Sequence, residues 1–264
     1  MAVVLMPIPA SDFDPTETGV PWKVLTGLGH DIVFATPKGG RAAADPMMVT
    51  GRGLGLLSGM LSADRAGREA YDAMRNSPGF ATPMSWEEIQ PGRYDGLILP
   101  GGHAKGIRQY LESGQLQSVV RTFFEASKPV GAICHGVVLA ARAKRADARS
   151  VLYGHKTTAL TRVMELSAWQ LTRIFLGDYY RTYPVTVEEE VRSVLARPTD
   201  FVAGPISLSR DSDANPNAGF VVRDGYYVSA RWPGDAHRFA HTMDDLLRER
   251  SNQSPADSLS AKKV

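Results

Sequence analysis

The chain has 264 residues, 43% hydrophobic and 22% charged, with a net charge of +2. That length suits one α/β domain with an insertion and a real core, and the near-neutral balance gives no strong pull on a polyanion, so nucleic acid is not an expected partner. A single cysteine excludes an internal disulfide and fits a reducing, cytoplasmic setting, while the longest apolar runs are too short to span a bilayer and residues 1–9 carry no charged leader.

Residues 2–6 form a continuous apolar run, the pattern of a strand covered on both faces. A polar loop over 12–16 follows, in which Asp14 or Thr16 can cap a helix running to about Leu28, with Pro21 in an early turn and Gly29 at its end. Residues 32–35 read as the second strand, completing a short parallel crossover unit. Residues 37–91 break this rhythm. They are rich in Gly, Ala, Ser and Met, with helix-like pieces at 54–60 and 66–76, and read as an insertion within one domain spanning 1–250.

A strand at 94–99 then ends on Pro100-Gly101-Gly102, with helical stretches at 107–111 and 116–125. A buried strand at 129–133 runs into Cys134 and His135, and 136–143 reads as helix. The basic residues Arg142, Lys144, Arg145 and Arg149 read as a solvated helix C-terminus. A strand is expected at 156–160 and a helix at 163–175. Runs at 219–223 and 226–230 flank Asp224-Gly225, a hairpin signal. A closing helix is expected at 233–248, and residues 251–264 read as a polar, disordered tail.

The chemistry concentrates at 130–140. A strand enters a helix with no loop between them, and the small residues Ala132 and Gly136 allow a tight turn, the logic of a nucleophile elbow at the carboxyl edge of a sheet. The helix N-terminus at Cys134 is expected to favour thiolate over thiol. Gly102 can turn its N–H toward a developing oxyanion beside the His135 N–H. Glu17, at the start of the first helix, belongs to the same edge. It is expected to be protonated near neutral pH, because two anions in a poorly solvated site repel. His103 follows Gly102 and is the one histidine outside the elbow expected to line the site. His30, His103, His155, His237 and His241 show no metal-ligand spacing, so no metal is expected.

The segments DPTETGVPW (Asp14 to Trp22), GLILPGG (Gly96 to Gly102) and GAICHG (Gly131 to Gly136), with VRDGYYVSARWPG (Val222 to Gly234) and Phe239-Ala240, resemble the DJ-1/PfpI superfamily of class I glutamine amidotransferase-like proteins. The insertion after the second strand is most similar to the larger Hsp31-like branch. That branch carries an acidic third member shortly after the elbow helix. GHKTTALTRVME (Gly154 to Glu165) resembles the segment that supplies it, which places the role of orienting His135 on Glu165, with Asp178 as fallback; His155 and Arg162 depart from the pattern. The resemblance implies a flavodoxin-like three-layer sandwich with a mostly parallel sheet, a homodimer, and glutathione-independent glyoxalase activity on a small carbonyl substrate such as methylglyoxal, without a cofactor. It leaves open an amidase or peptidase, an isonitrile hydratase, and a chaperone or redox sensor in which Cys134 is oxidised reversibly.

Overall fold

The computed structural model describes the backbone of residues 1–260 and the side chains of residues 1–252. Its strands are β1 (Val3–Pro7), β2 (Ser11–Phe13), β3 (Asp31–Thr36), β4 (Ala43–Ala44), β5 (Met84–Ser85), β6 (Gly96–Leu99), β7 (Val130–Ile133), β8 (Val221–Asp224) and β9 (Tyr227–Ala230). The helices are α1 (Pro15–Gly27), α2 (Pro46–Thr50), α3 (Ser58–Leu61), α4 (Arg65–Arg75), α5 (Pro78–Ala81), α6 (Arg108–Leu111), α7 (Gly114–Glu125), α8 (Gly136–Arg142), α9 (Arg162–Leu176), α10 (Val187–Val194) and α11 (Ala236–Ser260).

Seven strands form the main sheet in the order β5-β3-β1-β6-β7-β9-β8, and every pairing is parallel except β8 with β9. The strands are apolar because both faces are covered: β6, β7 and β9 are buried along their whole length. Helices α1, α4 and α11 pack together, with α11 against β7 and β9; α7 and α8 pack together against β6. This is the expected three-layer α/β sandwich. From β1 the chain moves outward to β3 on one side and later to β6 on the other, so β1 and β6 bracket a topological switch point. Open sheets of this kind hold their ligands at such a point, beyond the carboxyl ends of the strands.

Several local expectations change. Residues 156–160 are not a strand. Thr157 makes one isolated bridge to Phe201, and its amide donates to the Asp200 carbonyl. The segment 37–91 does more than cover the core, since β5 extends the main sheet beside β3, while β2 and β4 form a separate two-stranded ribbon. Asp224 pairs with Tyr227, so the hairpin loop is Gly225-Tyr226. Gly225 takes φ +60° at the first central position, as type II′ loops favour. The closing helix continues to Ser260, through the first part of the segment expected to be a disordered tail, and residues 261–264 lie outside those described. No described helix is long and apolar enough to cross a membrane.

Candidate active site

Cys134 sits between the end of β7 and the start of α8 with φ +56°, a left-handed conformation that a non-glycine residue rarely adopts. Such a backbone costs about 1–3 kcal/mol and persists only where its surroundings over-determine it. Here they do so from two sides. The Cys134 N–H donates to the Ala230 carbonyl at 3.0 Å, continuing the β7–β9 ladder. On the other side, α8 begins so close to the end of β6 that a Cβ on Gly136 would stand 2.0 Å from the Leu99 carbonyl oxygen. The turn therefore needs glycine at 136, and it holds the sulfur at the carboxyl edge of the sheet.

The thiol's neighbour is its own successor. Sγ lies 3.5 Å from Nδ1 of His135. Both residues are buried, at 0% and 1% exposure. The thiol is pushed up, not down. Burial acts first, then the nearby Glu17 and Asp14 carboxyls, and the hydrogen bond from the His135 N–H offsets only part of this. The expected thiolate at the helix N-terminus thus gives way to a protonated thiol, because the site is dry as well as dipolar. His135 is pushed well below its usual range by burial and by the nearby His103 and Arg142, so it is a neutral base.

Glu17 comes from the first turn of α1, which Asp14 caps by accepting from the Thr16 and Glu17 amides. Glu17 is fully buried, and its Oε2 accepts from the Gly101 N–H at 2.9 Å. Its Oε1 has no hydrogen-bond partner of good geometry, yet the carboxyl and the Cys134 thiol lie close enough to shift each other's protonation. Burial, with the Asp14 charge next, raises Glu17 far above the usual carboxylate range, in keeping with a neutral acid at pH 7. Gly101 is pinned between these parts: a Cβ there would meet the His135 nitrogen at 2.7 Å and Glu17 Oε2 at 2.8 Å. Of the two proposed oxyanion donors, the His135 N–H already faces the sulfur, and Gly102 follows the amide that Glu17 occupies.

His103 reaches this cluster. Its ring stands edge-on to His135 at 5.3 Å and to Tyr180 at 5.0 Å between centroids, and burial pushes it down to about 4. Glu165 does not reach it. Its carboxylate accepts from the Val187 amide at 2.9 Å and pairs with Arg181 at 3.7 Å, so it ties α9 to the first residue of α10. Asp178 is also engaged elsewhere, accepting from Trp169 Nε1. No described carboxylate hydrogen-bonds to His135, whose Nε2 is buried and unpartnered. The assignment of Glu165 as orienter is corrected accordingly. Buried packing against His103 and the thiol contact hold the imidazole instead.

Sequence patterns missed Tyr180. It belongs to the connection between α9 and α10 and closes over His103, with Tyr179 beside it donating its hydroxyl to Asp45. The pair Tyr179-Tyr180 was visible, but no local pattern links it to residue 103. Beyond His103 and Tyr180 opens a cavity of about 250 Å³, with Asp14 and Arg210 among its polar groups and Met164, Leu171 and Trp232 among its apolar walls. Cys134 itself is 0% exposed and does not line this cavity. In the basic cluster Arg142 forks onto Glu190 at 2.6 and 3.0 Å and Arg145 donates to the Val151 and Tyr153 carbonyls, while Lys144 and Arg149 are exposed.

A doubly wound sheet with a strained cysteine elbow, a buried acid from the first helix and a glycine turn after the neighbouring strand define a cysteine-centred α/β protein of the DJ-1/PfpI superfamily. The ThiJ/PfpI family-like model matches residues 8–205, and the chain belongs to that family. It is similar to a deglycase of Thermococcus kodakarensis, 27% identical over 62% of this chain and 69% of that one. The deglycase PfpI of Pyrococcus furiosus is 24% identical over 90% and 96% of the two chains. Among solved structures, glyoxalase III of Candida albicans superposes with a TM-score of 0.64 at 18% identity, covering 93% of this chain and 97% of that one.

Proposed function

We propose that the chain is a cysteine-dependent enzyme acting on small reactive carbonyl compounds, most simply a glutathione-independent glyoxalase that converts a 2-oxoaldehyde and water to a 2-hydroxy acid. The observation that carries this reading is the strained Cys134 turn with Sγ 3.5 Å from a neutral His135 ring nitrogen. Deglycase relatives and a glyoxalase III of like fold support it.

In this reading the sulfur attacks the aldehyde carbon. His135 takes the thiol proton and passes it to the aldehyde oxygen, giving a hemithioacetal. His135 takes the C1 proton while the protonated Glu17 gives its proton to the C2 oxygen, forming an enediol; His135 then returns its proton to C2 as the C1 hydroxyl returns one to Glu17, leaving a thioester of the hydroxy acid. Water cleaves the thioester, releasing the acid and restoring the thiol. The Gly102 and His135 amides stabilise the oxyanions of the first and last steps. A deglycase reading shares the covalent carbonyl adduct and differs in what is released. The acting unit is proposed to be a cytoplasmic homodimer.

The test is turnover of methylglyoxal without glutathione, followed by lactate formation, in the native protein and in Cys134→Ser. The expected result is activity lost in the variant with an unchanged circular dichroism spectrum. Equal turnover by both proteins, or none by the native one, would sink this reading.

A further inference from the structure

We propose that His103, Cys134 and His135 form a binding site for a thiophilic metal ion, specifically Zn²⁺, and that the bound ion holds the nucleophile in an inactive state. These residues each offer one ligand atom, and the three atoms lie within 4.8 Å of one another. In sequence, 31 and 32 positions separate the first from the other two, so spacing gave no hint of the cluster; it arises because β6 and β7 are neighbours and end at the same edge.

Three observations point to an ion. The donor set is one sulfur and two imidazoles, which suits zinc and disfavours the oxygen-seeking Mg²⁺ and Ca²⁺. Nδ1 of His103 is buried without a hydrogen-bond partner, in a residue only 8% exposed. Buried polar atoms left unpaired are uncommon and call for a partner. One separation already fits: with Zn–S near 2.3 Å and Zn–N about 2.0–2.1 Å, a tetrahedral ion sets sulfur and nitrogen ligands roughly 3.5 Å apart, and Sγ and Nδ1 of His135 are 3.5 Å apart, while the full set, within 4.8 Å, closes on the ion by a shift of the His103 ring. Three protein ligands leave a fourth position for water.

Binding forms one Zn–S and two Zn–N bonds and releases the thiol proton to solvent; no electron moves. The sulfur lone pair that would attack a carbonyl is then held by the metal, so metal and carbonyl compete for one atom. Zinc loading would switch the enzyme off reversibly, and it would shield the thiol from oxidation.

The site can be read without any carbonyl substrate, so its fate is separate from that of the glyoxalase reading. Because Cys134 is the only cysteine, alkylation of the native protein reports on this sulfur alone. One equivalent of Zn²⁺ is expected to suppress alkylation, and a chelator to restore it. Co²⁺ in place of zinc is expected to give sulfur-to-metal charge-transfer absorption, which decides the matter even if the buried thiol alkylates slowly. Loss of an outer-shell partner already weakens metal sites about 10–100-fold, so His103→Gln should weaken zinc binding at least that far and Cys134→Ser should remove it. No thiolate–cobalt absorption in the native protein, or equal zinc affinity in native, His103→Gln and Cys134→Ser proteins, would overturn the proposal.

Discussion

At the scale of single residues, the site is a matter of protonation. Glu17 is held neutral by burial beside a thiol that is also held neutral, so the pair at the elbow carries little charge. Glu17→Gln is nearly isosteric and can still accept from Gly101, but it cannot give up a proton. Its turnover is expected to fall about 100-fold, the usual scale of acid–base assistance, with the fold intact. Full activity in this variant would make Glu17 a structural donor only. The elbow was legible because Cys134, His135 and Gly136 are adjacent, and local chemistry travels with local sequence. Glu17 and Gly102 were legible because each follows a recognisable strand. Tyr180 was not, since its meaning comes from contact with residue 103, and Glu165 was misplaced because a buried acid on the right segment found a backbone amide instead of the histidine.

At the scale of elements, α9 has two roles, one in stability and one in the cavity. Glu165 fastens it to α10 and is raised by burial to about 7, against 4.5 when free. Between those values the folded protein keeps a proton that the unfolded chain has lost, so stability falls as pH rises through that window. The full shift corresponds to about 3 kcal/mol. Glu165→Gln keeps an acceptor for Val187, and its melting temperature should exceed that of the native protein at pH 8 and match it near pH 4. A native advantage at pH 8 would mean that the Arg181 pair outweighs the cost of burial. The same helix lends Met164 and Leu171 to the wall of the cavity. Each methylene added to a 2-oxoaldehyde tail should gain about 0.8 kcal/mol, near fourfold in kcat/KM, until the cavity is full; a flat series would place the tail elsewhere. The element α10 escaped notice although Thr186 and Glu189 form a capping box. The expected strand at 156–160 failed because its β-prone run was met by a single isolated bridge partner, Phe201.

At the scale of the whole molecule, the class of fold was legible because buried parallel strands and crossover helices alternate with an unmistakable rhythm, and the order of the sheet was not, because nothing local says which strands become neighbours. That order has a consequence for the chain as it is made. β1 is central, and one side of it stays open until β6, some 90 residues later, arrives to pair with it. A ribosome releasing the first 95 residues has therefore exposed an apolar strand with a row of unsatisfied amides and carbonyls, the template on which chains join one another. A fragment ending at Asp95 should sediment as aggregate or be recovered with a holdase, whereas the full chain should not, since β6 then fills the gap beside β1 and β9 pairs with β7. The half-built sheet is thus a hazard during birth, and the cell must shepherd it for several seconds, at about 5–20 residues per second of synthesis, before the protein can take care of itself.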